Sequence, residues 1–256
     1  MRRALAFAAL LACAATAPAQ QAPDWRLPAS AFMSRQTQAM QDDDAGNPAM
    51  LWVQEGEALW TRVDGASQTN CADCHGEAGA SMRGAAARHP AFDAIEGRTL
   101  DLGGRVNQCR TLRQAAEPFA PESRELLAIT AYVARFSRGQ PIAPVSDPRL
   151  APALEAGKAT FFRRQGQLDL SCAQCHDDNW GKKLGGATIP QAHPTGYPIY
   201  RLEWQGVGSL QRRLRNCLAG VRAQPYAYGA QELVELELYL KQRAAGMIVD
   251  APGVRP

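Results

Sequence analysis

The sequence predicts a mainly α-helical protein made of two tandem domains related by internal duplication, and three observations carry that expectation. The motif Cys-x-x-Cys-His occurs twice, as CADCH from Cys71 to His75 and as CAQCH from Cys172 to His176. Each motif is preceded at the same spacing of 15 residues by a glycine in a Glu/Ala-rich run, Gly56 before Cys71 and Gly157 before Cys172. Each half then closes on an apolar pattern of helical period, ELLAITAYVARFSRG (Glu125 to Gly139) and ELVELELYLKQRAAG (Glu232 to Gly246), while strand signals are nearly absent.

Taken in order, residues 1–19 combine Arg2 and Arg3, an apolar run from Ala4 to Ala12 and the small-residue stretch Ala15 to Ala19, the pattern of a secretory signal peptide. Leu10-Leu11-Ala12-Cys13 also resembles a lipoprotein box, but the A-x-A site downstream and the short apolar core before Cys13 favour simple cleavage. No segment reaches the roughly 18 to 20 apolar residues of a spanning helix, so the mature chain is expected to be soluble and exported to the periplasm. Residues 20–50 read as an N-terminal extension, 51–147 as the first domain and 148–256 as the second. The Pro-rich stretch Gln140 to Pro148 reads as the linker, and Asp177 to Gln205 as a longer, irregular loop peculiar to the second half.

A formal charge of +3 gives the 256-residue chain no strong preference for nucleic acid or a membrane surface. The halves differ: residues 20–150 hold 13 basic and 16 acidic residues, residues 151–256 hold 13 and 9. An anionic ligand would favour the second half.

CxxCH attaches haem c, because two cysteines two residues apart reach both vinyl groups while the histidine swings beneath the iron. Two copies in matched repeats of an exported chain argue against a zinc or redox site. Each domain is therefore expected to be cytochrome c-like, with covalent haem at Cys71 and Cys74 and at Cys172 and Cys175, and His75 and His176 as proximal ligands. On the distal side methionine is poorly supplied, since only Met247 follows His176. Two matched pairs compete, His89-Pro90 with His193-Pro194, and Cys109 with Cys217; the cysteines could alternatively form a disulfide. The cysteines occupy equivalent places, RVNQC and RLRNC, on apolar faces made by Leu102, Val106, Cys109 and Leu112 and by Leu210, Leu214, Cys217 and Val221. Each follows an arginine by one helical turn, Arg105 and Arg213, a setting that favours thiolate. Of the cluster Arg212, Arg213 and Arg215, only Arg213 has that placement, and the other two read as a solvated face.

With CADCH and RVNQC in one half and CAQCH and RLRNC in the other, nearly the whole mature chain resembles the diheme SoxA cytochromes of periplasmic sulfur oxidation, subunits that pair with a small cytochrome, SoxX. The resemblance implies two haem c groups with His/Cys ligation, His75 with Cys109 and His176 with Cys217. It further implies that Cys217 is catalytic, as a persulfide, and that Arg213 holds the substrate. The activity implied is oxidative conjugation of thiosulfate to a cysteine of a carrier protein, SoxYZ, with electrons leaving through haem. A thiosulfate dehydrogenase forming tetrathionate and a non-catalytic electron-transfer cytochrome are the alternatives.

Overall fold

The computed structural model describes residues 24–256. The signal peptide and Cys13 lie outside the described residues. After helix α1 (Arg35–Asp42) the first half runs through α2 (Met50–Thr61), α3 (Cys71–His75) and α4 (Ala78–Ser81). A hairpin of β1 (Ala91–Asp93) and β2 (Arg98–Leu100) then leads into α5 (Leu102–Cys109) and α6 (Arg124–Arg135). The second half repeats the order with α7 (Ala151–Phe162) and α8 (Cys172–His176). It adds a small hairpin of β3 (Lys183–Leu184) and β4 (Ala187–Thr188), then continues with β5 (Ile199–Arg201), β6 (Gly206–Gly208), α9 (Leu210–Gly220) and α10 (Gln231–Arg243). Strand β7 (Gly253–Arg255) follows. Among the described residues no helix is long and apolar enough to cross a membrane.

The repeated glycines are where the helices cross. A Cβ on Gly56 of α2 would lie 2.6 Å from the Tyr132 Cβ and 2.7 Å from the Ala128 carbonyl carbon of α6. On Gly157 of α7 it would lie 2.5 Å from the Glu235 carbonyl carbon of α10. Only glycine lets the backbones approach so closely, and the crossings set where the CxxCH helices begin. Both of those helices open on a capping box, Asn70 with Asp73 and Ser171 with Gln174, which satisfies the first backbone N–H groups of a five-residue helix.

Three departures from the sequence reading have physical causes. Helix α6 is buried from Leu127 through Ala134, around its circumference rather than on one face, because it packs on its own half and also meets Val207 of the other. The described residues include three small sheets where the sequence suggested almost none. These strands are two or three residues long, too short to express an alternating pattern. The Pro-rich linker is fastened: Ile142 is 1% exposed, its N–H donates to the Met247 carbonyl, and it packs with Ala86, Ala134 and Val249.

Residues before α2 form a strap across the second half. The Leu27 N–H donates to Gln191 Oε1 (2.6 Å), and Gln41 of α1 holds Asp250 and the Val254 N–H beside β7. Between the halves lies a cavity of about 910 Å³, counting its open mouth. Gln211, 4% exposed, spans it by donating to Asp101 Oδ2 (2.7 Å) and accepting from the Gly229 N–H (2.8 Å).

Candidate functional site

In the first half Cys71, Cys74, His75 and Cys109 line one cavity of about 1160 Å³, counting its open mouth. Its wall includes Leu102 and Val106, the apolar face of α5 that the sequence indicated. Leu112, assigned to the same face, is instead 53% exposed, because Arg110–Gln114 is wound as a π-helix and the wider turn shifts the register. The His75 ring lies 5.7 Å from that of Trp60, whose indole N–H donates to the Gly76 carbonyl (3.0 Å). His89 also lines the cavity, with Nδ1 bonded to the Ala85 carbonyl (2.9 Å).

In the second half the His176 Nδ1 donates to the Pro190 carbonyl (2.6 Å), which fixes the ring and leaves Nε2 without that hydrogen and able to act as a ligand. Negative charge at Cys217 reaches Cys172 and Cys175, so these sulfurs share one neighbourhood; Cys172, held mainly by burial and secondarily by that charge, is pushed up to about 11. Leu210, Leu214, Leu218, Leu233 and Leu236 supply an apolar wall beside Cys172. Nearby, Gln191 Nε2 and Arg243 Nε are buried donors without a partner among the described residues, and the charge of Arg243 reaches His176. Paired thiols, an oriented imidazole, apolar walls and spare donors suited to carboxylates together fit haem c. Cys109 and Cys217 form no disulfide with each other or with another described cysteine, and each sits beside the CxxCH cysteines of its own half.

The two histidine-proline pairs are not equivalents. The hairpins β1–β2 and β5–β6 share one register, Ala91 with Leu100 and Ile199 with Gly208, at the same 108-residue spacing as Cys109 and Cys217. Counted back from the strands, the counterpart of His89-Pro90 is Tyr197-Pro198. His193 is 4% exposed and bonded through Nδ1 to the Leu27 carbonyl (2.9 Å) in the strap. Met247 packs with the linker cluster.

The equivalent arginines have different partners. Arg105 is paired with Asp93 (2.6 Å) and bonded to Gln108. Arg213 has no carboxylate partner among the described residues, and the charge at Cys217 is the first cause holding its guanidinium above its ordinary value. Arg212 stacks 4.3 Å over Trp204 and Arg215 4.4 Å over Tyr228, so both are engaged by aromatic rings. Arg213 instead opens onto a cavity of about 1620 Å³ with Tyr197, Arg201 and Arg255. The sequence reading missed Asp93, Pro190, Tyr197 and Arg201. Extending the 108-residue offset upstream would have aligned the strands, but between residues 91 and 101 and their counterparts no position is identical.

Residues 55–142 and 156–249 match the family model described as SoxA/TsdA, cytochrome c domain. The chain is 34% identical over 225 residues to the L-cysteine S-thiosulfotransferase subunit SoxA of Pseudaminobacter salicylatoxidans, covering 88% of this chain and 79% of that one. It is 33% identical over 224 residues to the same subunit of Paracoccus pantotrophus, covering 88% and 77%. The crystal structure of SoxXA from P. pantotrophus superposes with a TM-score of 0.87 at 32% identity, over 90% of this chain and 87% of that chain. With both halves matched and the relatives aligned across most of its length, the chain belongs to the SoxA family of cytochromes.

Proposed function

We propose that this protein joins thiosulfate oxidatively to a cysteine thiol of a SoxYZ-like carrier, working in the periplasm as a complex with a small SoxX-like cytochrome. The observation that carries the reading is the unpaired Arg213 beside Cys217, where the equivalent Arg105 is neutralised by Asp93. A guanidinium next to a thiol with no carboxylate on it is suited to a small anionic substrate.

Cys71 and Cys74, with His75 and Cys109 at the iron, would hold one haem c; Cys172 and Cys175, with His176 and Cys217, would hold the second. When bound, the haem groups supply one-electron acceptors, so the two electrons of the oxidation leave singly. Arg213 holds the sulfonate end of thiosulfate and turns its outer sulfur towards Cys217. The Cys217 sulfur, as thiolate or persulfide, becomes bonded to that outer sulfur as the two electrons depart. The carrier thiol gives up its proton, and the resulting thiolate attacks the outer sulfur, breaks its bond to Cys217, takes the thiosulfonate group and returns Cys217 to its starting form, one difficult step divided into two.

The test is Cys217→Ala in the holoprotein, with carrier adducts and tetrathionate both quantified. The reading requires retained haem attachment, a changed low-spin spectrum at one haem and loss of the carrier adduct. Unchanged adduct formation defeats it, and tetrathionate as the main wild-type product assigns the chain to thiosulfate dehydrogenation instead. Intact mass after denaturation should show two haem additions and reports any extra sulfur on Cys217.

A further inference from the structure

The internal duplication supplies its own comparison for the substrate pocket, because the two hairpins share one register and the helices after them, α5 and α9, begin at equivalent leucines, Leu102 and Leu210. At the 108-residue offset that pairs Cys109 with Cys217 and Arg105 with Arg213, the counterpart of Asp93 is Arg201. In the first half the strand residue is an acid and closes an ion pair with the helix arginine. In the second half the same position carries a second guanidinium, and two like charges face the place where the first half makes a salt bridge.

Resting on the function proposed above, we infer that Arg201 is a second substrate-binding residue, and that Arg201 and Arg213 together form a two-guanidinium seat selective for a dianionic sulfur oxyanion. Strand β5 is central in its sheet, and its parallel pairing with β7 sets Arg201 directly beside Arg255. Partners in register put their side chains on one face. Ile199, Arg201 and Arg255 all line the cavity that Arg213 enters, whereas Tyr200 packs on Trp52. Arg201 is 9% exposed and held in place: its Nε–H donates to the Pro256 carbonyl (2.9 Å), and its guanidinium forms an ion pair with the exposed carboxylate of Glu203 (2.7 Å). Its remaining N–H groups have no partner among the described residues. Arg255 lies 3.6 Å from Asp250 and is bonded to Gln41, and it adds to the positive charge of the same cavity. Lys183 adds a further positive charge to the cavity rim and Glu203 a negative one.

Burial first, then the charge of Arg213, pulls the Arg201 guanidinium below its ordinary value, consistent with repulsion that a bound dianion relieves. A monoanion leaves part of that repulsion in place. The carboxylate at the first-half position leaves no such demand, which distinguishes the halves by chemistry as well as by geometry.

The test uses the two-haem holoprotein. Calorimetric titration with thiosulfate is expected to show binding weakened about ten-fold or more in Arg201→Gln, the scale of a lost charged hydrogen bond. Arg201→Asp, which restores the charge pattern of the first half, should weaken it further. Arg164→Gln removes an exposed guanidinium paired with Asp169 and should stay within about two-fold of wild type, which controls for net charge. In the conjugation assay Arg201→Gln should raise KM with a much smaller change in kcat. In the wild type, sulfate should compete with thiosulfate at least about ten-fold better than nitrate at equal ionic strength. Binding by a folded Arg201→Gln within two-fold of wild type overturns the inference, and so does equal competition by sulfate and nitrate, a readout that needs no variant. Wild-type protein that binds thiosulfate but forms no carrier adduct defeats the function reading instead, and the seat is then judged on binding alone.

Discussion

Replacing Gly157 by alanine tests whether the glycine shared by the two repeats is there for the helix crossing. The added Cβ would lie 2.5 Å from the Glu235 carbonyl carbon and 3.0 Å from the Tyr239 Cβ, while real Cβ contacts stay beyond 3.0 Å. Helices α7 and α10 must therefore part by at least about half an ångström, and the obstacle is backbone, which cannot rotate aside. Overpacking of this kind costs about 1–3 kcal/mol, against about 1 kcal/mol gained from the helix propensity of alanine. The balance, up to about 2 kcal/mol, lowers Tm by up to about 8 °C in a chain of this size. Gly220, at the end of α9, is the control: its Cβ would meet nothing within 4 Å, so Gly220→Ala should be neutral or stabilising by up to about 1 kcal/mol. Circular dichroism melts of the holoproteins at one scan rate make the comparison. A Gly157→Ala variant that melts above wild type, as Gly220→Ala is expected to, would refute the crossing argument. Because α10 carries Leu233 and Leu236 beside Cys172, the same strain should also loosen the second site.

Other perturbations test the region between the halves and the entry to α8. Burial, reinforced by Asp101 and opposed by Lys241, pushes the Glu237 carboxyl up to about 8 from its ordinary 4.5. It stays protonated in the folded chain while the unfolded chain releases the proton, so stability falls as pH rises from about 4.5 to about 8. Glu237→Gln should flatten that slope in urea midpoints measured across the window, and an unchanged slope would refute it. Gln211→Leu leaves the Asp101 carboxylate and the Gly229 N–H without their buried partner and should cost about 1–3 kcal/mol by denaturant midpoint. Ser171→Ala removes the N-cap of α8 and should cost about 1 kcal/mol, with a matching loss for Asn70→Ala at α3.

The motifs and their repeat were legible because they are local. CxxCH, the capping boxes and the glycine 15 residues upstream are constraints between residues close in the chain, and their chemistry can be read from spacing. The apolar face of α5 was legible up to Cys109 for the same reason, and became illegible at Leu112, where a π-turn replaces the assumed period. The histidine pairing failed because it matched letters: His89 and His193 share a following proline, whereas strand register aligns His89 with Tyr197.

By itself the sequence determined that this chain is a duplicated, mainly helical cytochrome with a CxxCH motif in each half, and it offered Cys109 and Cys217 as matched candidates to face those motifs. What only the tertiary structure decided is how those sites differ. Arg105 meets Asp93 and Arg213 pairs with no acid among the described residues, because strands too short to announce themselves carry residues of opposite charge to equivalent places. The β7 strand, from the far end of the chain, adds Arg255 to the same face by parallel pairing. Such long-range register depends on backbone hydrogen bonds and on the packing of both halves, and neither leaves a periodic trace in the order of residues.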